Sequence, residues 1–141
     1  MKPLSKSAAA VLNALTRELA DPFSSDAPSS RTVDLTDGVF MPVVVERIGP
    51  ATFSVGHYYT QNGDRMSDPE MTFWRSEVGS WHPVTYCLSS LGVHRRGMEL
   101  DDRDQPKRWS PREYADQRRF ATTWMRNIKA QQGGVKALCA T

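Results

Sequence analysis

The chain has 141 residues, of which 39% are hydrophobic and 24% are charged, and its formal net charge is +2. This length suits one compact domain, and the lack of a fixed-period repeat in the sequence excludes collagen-like and solenoid proteins. No apolar run approaches the length of about 18 residues that a membrane span needs, so we predict a cytoplasmic protein without a membrane partner.

The charge is distributed unevenly along the chain. Residues 1–94 contain 7 Lys/Arg and 10 Asp/Glu, whereas residues 95–141 contain 11 Lys/Arg and 6 Asp/Glu. The C-terminal third is therefore basic. Cys87 and Cys139 lack the CxxC or Cys/His spacing of a zinc site, so we expect free thiols in a reducing compartment and predict no cofactor.

The first predicted element is an amphipathic helix from about Leu4 to Ala20. Its apolar positions follow helical spacing, and Asp21-Pro22 ends it because proline removes a backbone donor. Serines and prolines indicate a linker over residues 21–31. Residues 32–133 then form the α+β core of the same single domain as the helix at residues 1–20, and residues 134–141 form a flexible tail.

Six strand-like segments follow the linker, each rich in β-branched or aromatic residues and separated from the next by a turn signal. The segments are Thr32–Leu35, Phe40–Ile48, Phe53–Gln61, Met71–Arg75, Trp81–Leu88 and Val93–Leu100. Their close spacing leaves no room for crossover helices, so neighbouring strands run antiparallel. The sequence therefore predicts a meander sheet of about five strands.

The last helix has the strongest sequence signals. Ser110 is its predicted N-cap, Pro111 its first position and Glu113 the closing residue of a capping box, and Gly133 ends it. One arc packs on the core and contains Tyr114, Phe120, Ala121, Trp124, Met125 and Ile128. The other arc is a basic face formed by Arg112, Arg118, Arg119, Arg126 and Lys129. The predicted fold class is α+β, with the N-terminal and C-terminal helices on one face of the antiparallel sheet.

The hairpin around Asn62-Gly63 carries a candidate polar cluster. Its members are His57, Tyr59, Asn62, Asp64, Asp68 and Glu70. Strand alternation puts His57 on one face with apolar neighbours, which favours a structural histidine hydrogen-bonded through its ring nitrogens, and Asn62-Gly63 suits a type I′ turn. The competing interpretation is a divalent metal site, with Asp64, Asp68 and Glu70 as weak candidate ligands that the hairpin brings near His57.

Four stretches of the sequence carry a resemblance to a known family. They are F-M-P-V-V-V-E-R-I from Phe40, H-Y-Y-T-Q-N-G-D-R-M-S-D-P-E-M from His57, W-H-P-V-T-Y from Trp81, and F-A-T-T-W-M-R-N-I-K-A-Q-Q-G from Phe120. These stretches resemble a small family of unknown function that is carried on plasmids, phages and prokaryotic chromosomes, and the likeness covers most of the range from Phe40 to Gly133. The resemblance implies a mobile-element origin and supplies no mechanism.

The sequence favours a non-enzymatic protein, because no G-x-S-x-G elbow, P-loop or G-x-G-x-x-G motif is present. We expect an accessory protein of mobile genetic elements that binds a macromolecular partner, with a protein favoured over nucleic acid. Trp109 or an edge strand of the sheet would contact the partner. An edge strand could also pair with a second copy of the chain, so a homodimer is a further possibility. The alternatives are a metal-dependent hydrolase or nuclease that uses the hairpin cluster, and nucleic-acid binding through the basic face of the last helix.

Overall fold

The computed structural model describes residues 1–24 and 26–139. The helices are α1 (Lys6–Leu15), α2 (Pro111–Gln131) and α3 (Val135–Cys139). The strands are β1 (Ser30–Val33), β2 (Val43–Arg47), β3 (Thr52–Gln61), β4 (Asp64–Arg75), β5 (Trp81–Leu88), β6 (Val93–Arg96), β7 (Met98–Leu100) and β8 (Pro106–Trp109). Within these ranges, no helix combines the length and apolar content that crossing a lipid bilayer requires.

Six strands form one antiparallel sheet in the order β1-β2-β3-β4-β5-β6, and β7 and β8 form a separate hairpin. The predicted α+β fold with an antiparallel sheet and helices near both ends is confirmed, although the sheet has six strands and not about five. The last predicted strand is divided at Gly97, whose amide bonds the Val84 carbonyl at 2.8 Å. A side chain at Gly97 would approach the Tyr114 backbone to 3.2 Å, so the chain turns here directly against α2.

Helix α1 is shorter than its prediction, which ran to Ala20. It begins after Ser5, whose hydroxyl accepts a hydrogen bond from the Ala8 amide, and ends at Leu15. Beyond the helix, the Thr16 hydroxyl donates to the Leu12 carbonyl at 2.7 Å, and Glu18 adopts a left-handed φ of 62°. A residue in that conformation cannot continue a right-handed helix, so the chain leaves it well before Pro22.

Helix α2 begins at Pro111 and ends before Gly133, as predicted, but the capping box is absent. The Ser110 side chain makes no capping hydrogen bond, and the Glu113 carboxylate instead accepts a bond from the Gln117 amide at 3.1 Å. The capping-box prediction is therefore wrong. Trp124 and Ile128 are buried as predicted, whereas Phe120 remains 37% exposed.

The main core lies between the helices and one face of the sheet. Side chains of α1, α2 and α3 pack there against alternate residues of β1 to β5. The sheet contributes Val33, Val43, Val45, Phe53, Val55, Met71, Phe73 and Trp81. The other face is crossed at one end by the β7–β8 hairpin, where Met98 and Leu100 pack with Trp74 and Val84. The rest of that second face is polar, and we call it the open face.

The last part of the chain forms a short helix where a flexible tail was predicted. Leu138 of α3 is fully buried in the main core. Arg31 of β1 holds this helix in place, because its guanidinium donates to the carbonyls of Ala14 at the end of α1 and of Leu138 at 3.0 Å. Burial lowers the pKa of Arg31. The predicted linker and tail also include Ser25, Ala140 and Thr141, which lie outside the described residues.

Candidate functional site

His57 is a structural residue of the main core. Its Nδ1 lies 3.0 Å from the Pro42 carbonyl oxygen, and its Nε2 accepts a hydrogen bond from the Trp124 indole at 3.1 Å. The ring also packs edge-to-face on Trp124, with centroids 5.6 Å apart. Both ring nitrogens are thus occupied, which agrees with the prediction of a histidine hydrogen-bonded through its ring.

The hairpin tip has the predicted turn geometry. Asn62 and Gly63 both have positive φ, 52° and 83°, and the flanking Gln61 and Asp64 are register partners. These values are what a two-residue type I′ turn requires. Tyr59 is half-buried opposite Met66, and Asn62 and Asp64 are exposed at the tip. The tip therefore holds the hairpin together and lies apart from His57.

The three candidate carboxylates do not converge on His57. A register shift between Gly56 and Tyr58 places the Asp68-Pro69 step in a bulge, and Glu70 pairs with Gly56 and not with His57. Since adjacent side chains alternate across a sheet, Glu70 lies on the open face while His57 lies in the core. Among the described residues, no group of three His, Cys, Asp or Glu side chains is positioned to hold a metal ion. The expectation that the hairpin gathers these residues is wrong.

Glu70 instead belongs to a network that crosses the open face. The Tyr58 hydroxyl donates to the Glu70 carboxylate at 2.9 Å, and the Arg65 guanidinium stacks on the Tyr58 ring, 3.7 Å from its centroid. Arg65 also pairs with Glu46 at 3.5 Å. Burial and the neighbouring Glu70 carboxylate raise the pKa of Tyr58, so the phenol keeps its proton and remains a hydrogen-bond donor.

This network is possible because Gly56 leaves room for the tyrosine ring. A Cβ atom built on Gly56 would lie 2.6 Å from both the Cζ and the hydroxyl oxygen of Tyr58. The Tyr58 side chain therefore lies across the backbone of its own strand and reaches Glu70 on β4. Glycine is the residue that permits such a close approach of a ring to the backbone.

Beside this network lies a groove of about 390 Å³. Its floor contains Thr72 of β4 and Thr85 of β5, whose hydroxyls are hydrogen-bonded at 2.5 Å. The strands and the β7–β8 hairpin supply the remaining lining residues, which are Ile48, Thr52, Glu70, Val84, His94, Arg96, Leu100, Asp101 and Asp104. The groove therefore combines an uncharged floor with charged groups of both signs.

The two aspartates of the hairpin turn define one end of the groove. Asp104 accepts a hydrogen bond from the Ala51 amide at 2.9 Å, which fixes the turn against the β2–β3 connection. Asp101 accepts bonds from the amides of Arg103 and Gln105 at 2.8 and 3.0 Å. These backbone bonds lower the pKa of Asp101, so its carboxylate carries a negative charge near neutral pH.

Two groups in the groove have unused hydrogen-bonding or ionic capacity. The Thr52 side chain is only 7% exposed, and its hydroxyl has no partner in the described part of the chain. Arg96 is exposed on β6, and among the ion pairs of the described residues none involves its guanidinium. A polar group that enters this groove therefore meets an exposed cation without an acidic partner, whereas the unpartnered Thr52 hydroxyl oxygen is buried.

The predicted basic face of α2 lies on the outer side of the helix layer. Arg112, Arg119, Arg126 and Lys129 are exposed, and Arg118 is half-buried. Arg119 pairs with Asp116 of the same helix, while Arg118 donates to the Pro3 carbonyl at 2.8 Å. The basic face and the open face thus lie on opposite sides of the sheet.

Sequence reasoning missed the groove, although one of its signals was present. Alternation assigns Ser54, Gly56 and Tyr58 to the face opposite His57, and that polar series marks the open face. Arg96 and Asp101 could not be assigned to the same site, because that requires the division of the strand at Gly97. Of the candidate cluster, Glu70 alone lines the groove.

The chain was compared with known proteins. No curated protein and no solved structure matches it. The family described as "Domain of unknown function (DUF6908)" has a sequence model that matches residues 15–134. The matched range begins at the end of α1, before the start of the likeness predicted from Phe40, and includes the whole sheet, the β7–β8 hairpin and α2. Because it covers most of the 141 residues, the chain belongs to this family, a domain family of unknown function.

Proposed function

We propose that the chain is a small non-enzymatic accessory protein of mobile genetic elements that acts in the cytoplasm by binding a protein partner, and so modulates a host or plasmid process. The mobile-element setting rests on the resemblance of the H-Y-Y-T-Q-N-G-D-R-M-S-D-P-E-M stretch. Membership of a domain family of unknown function is compatible with this role and assigns no activity.

The groove on the open face is the observation that carries the proposal. A polypeptide segment presents amide donors, carbonyl acceptors and charged side chains, and the groove offers a counterpart for each. Arg96 suits a carboxylate of the partner, while Glu70 and Asp101 suit donors. The hydroxyls of Thr72 and Thr85 supply a floor that accepts either kind of group.

The edges of the sheet are less suited to a partner than its face. Strands β1 and β6 contain only four residues each. The Gln117 side chain donates to the Arg95 carbonyl at 3.3 Å, and His94, Arg95 and Arg96 are exposed on β6. Short, charged edge strands resist strand pairing, and pairing of β6 with a second copy would place like charges opposite one another. We therefore assign the contact to the open face and do not propose a homodimer through β6.

Affinity capture from a host lysate tests this function with three forms of the protein. The wild type, an Arg96→Glu variant and an Arg103→Glu variant carry the same tag. Arg103 is exposed in the β7–β8 turn and does not belong to the groove lining. Arg103→Glu therefore makes the same change of charge as Arg96→Glu, but outside the groove. We expect one protein to be captured by the wild type and by Arg103→Glu but lost with Arg96→Glu. Equal capture by all three forms would show that the groove is not the contact.

A further inference from the structure

The helix layer carries a large share of the positive charge of the molecule. Helices α1, α2 and α3 contain 7 Lys/Arg and 2 Asp/Glu, whereas the rest of the chain contains 11 Lys/Arg and 14 Asp/Glu. The helices therefore have a net charge of +5, and the remaining chain has a net charge of −3. A surface of one sign attracts a ligand of the opposite sign and raises its rate of association.

Part of this charge forms one stripe along α2. At about 100° per residue, Ala115, Arg118, Thr122, Arg126 and Lys129 fall within an arc of about 100° on α2, beside the buried arc. The N-terminal segment runs alongside this stripe, because Arg118 donates to the Pro3 carbonyl and α1 packs on α2. The stripe and the N-terminal segment are thus the two walls of a track.

A cavity of about 230 Å³ occupies one end of the track. Trp109 lines it and is 43% exposed, and the ring is fixed by an edge-to-face contact with Tyr114 at 5.3 Å. The charged residues of its lining are Lys2, Arg118 and Arg119. Arg119 is paired with Asp116, so this end offers an exposed aromatic face beside the cations of Lys2 and Arg118.

A smaller cavity, of about 120 Å³, lies further along the same stripe. Ser7 of α1 and Thr122 of α2 contribute hydroxyls to its lining, and Arg126 and Lys129 contribute cations. Within residues 1–24 and 26–139, no acidic residue lines either cavity. Among the ion pairs of the described residues, none involves Arg126 or Lys129. Two cations without acidic partners around a small space suit a phosphate group, whereas the Thr122 hydroxyl already donates to the Arg118 carbonyl at 2.9 Å.

We propose that this track binds single-stranded nucleic acid, with a base stacked on Trp109 and the backbone phosphates running along α2 to the cavity at Arg126 and Lys129. About 16 Å of helix separates Ala115 from Arg126, so the strand covers a few nucleotides. Single strands are bound by aromatic platforms combined with cationic grooves, and this is the combination present here. The cavity at Arg126 and Lys129 lies between α1 and α2, on the other side of the sheet from the groove, and Trp109 lies at the end of β8 next to α2. This activity therefore goes beyond the proposed protein binding.

The binding test is fluorescence anisotropy of a labelled oligothymidylate of about 12 nucleotides, titrated at several salt concentrations. The test variants are Arg126→Gln/Lys129→Gln and Trp109→Ala. The matched control is Arg65→Gln/Arg103→Gln, which removes the same charge from the open face and from the β7–β8 turn, away from Trp109 and the stripe. Circular dichroism and thermal melting confirm that each variant is folded, since all of these side chains are exposed.

The expected results differ between the variants. Each lost phosphate contact on a single strand reduces the slope of log K against log salt by about 0.7, so the Arg126/Lys129 double variant loses about 1.4 from the slope. Trp109→Ala weakens binding roughly five-fold or more with little change in slope, because it removes stacking and no charge. The control variant keeps the slope and most of the affinity of the wild type.

Three outcomes would overturn the proposal. One is an equal loss of binding in the control variant, which would indicate attraction by overall charge. Another is a duplex of the same length that binds more tightly than the single strand and is unaffected by Trp109→Ala. The third is stronger binding to anionic phospholipid vesicles or to polyglutamate than to the oligonucleotide. The Arg126/Lys129 variant should still capture the protein partner, so failure here is distinguishable from failure of the open-face function.

Discussion

Replacement of Gly56 by alanine tests how the open face is built. The new methyl group would lie 2.6 Å from the Cζ and hydroxyl oxygen of Tyr58, well inside contact distance. The tyrosine ring has to leave its position, because the methyl group is fixed to the strand backbone. Its departure breaks the hydrogen bond to Glu70 and the stack with Arg65.

The magnitude follows from these two contacts. A hydrogen bond to a charged group contributes about 1.5–3 kcal/mol, and an exposed cation–π contact about 0.5–1 kcal/mol. Alanine in a strand recovers about 0.5–1 kcal/mol relative to glycine, because the unfolded chain is less free. We therefore expect Gly56→Ala to lower the free energy of unfolding by about 1–3.5 kcal/mol.

Urea unfolding of a double-mutant cycle measures the effect. The partner variant is Tyr58→Thr, which removes the ring and keeps a residue that favours strands. In that background, Gly56→Ala should be neutral or should stabilise the protein by about 0.5 kcal/mol, because no ring remains to be displaced. An equal loss of stability in both backgrounds would refute the assigned role of Gly56.

Two further predictions concern stability. His82 is buried against Tyr114, and burial, followed by repulsion from the N-terminal ammonium, lowers its pKa. The unfolded chain therefore binds a proton near pH 6.5 that the folded chain does not, and the free energy of unfolding should fall with decreasing pH by up to about 1.4 kcal/mol per unit. In urea titrations at several pH values, His82→Gln should weaken the pH dependence of the free energy of unfolding. An unchanged pH dependence would contradict its assignment to His82. Arg31→Met should lower the free energy of unfolding by about 1–3 kcal/mol, because the carbonyls of Ala14 and Leu138 lose a charged donor. The same variant should make α3 more sensitive to proteolysis. The control is Arg17→Met, which removes an exposed hydrogen bond of 3.4 Å to the Cys139 carbonyl. Equal stability of the two variants would contradict the role of Arg31 in holding α3.

Local signals in the sequence predicted the main elements of the fold. Asn62-Gly63 specifies its turn because both residues tolerate positive φ, and the apolar spacing around Trp124 and Ile128 specifies the buried side of α2. The capping box at Ser110 failed because Glu113 has a competing partner one turn further along the helix. Such competition depends on the packing of the helix and is not visible in a four-residue motif.

The sites depend on contacts between distant parts of the chain, which local patterns do not predict. The bulge at Asp68-Pro69 makes Gly56 the register partner of Glu70, whereas the prediction placed that carboxylate near His57 because the hairpin folds back after Asn62. The track on α2 needs the N-terminal segment as its second wall, and Ser7 lies more than one hundred residues from Arg126 in the sequence. The sequence indicated the basic face but could not predict that α1 and the residues before it lie beside it.

Methyl NMR of threonine-labelled protein tests most directly whether the two sides of the sheet bind different partners. The methyl groups of Thr72 and Thr85 report on the open-face groove, and that of Thr122 reports on the track beside α2. We expect the captured protein partner to shift the Thr72 and Thr85 signals and to leave the Thr122 signal unchanged. The oligonucleotide should shift the Thr122 signal and leave those of Thr72 and Thr85 unchanged. Unchanged Thr72 and Thr85 signals in the presence of the captured partner would contradict the assignment of the open face as the protein-binding surface.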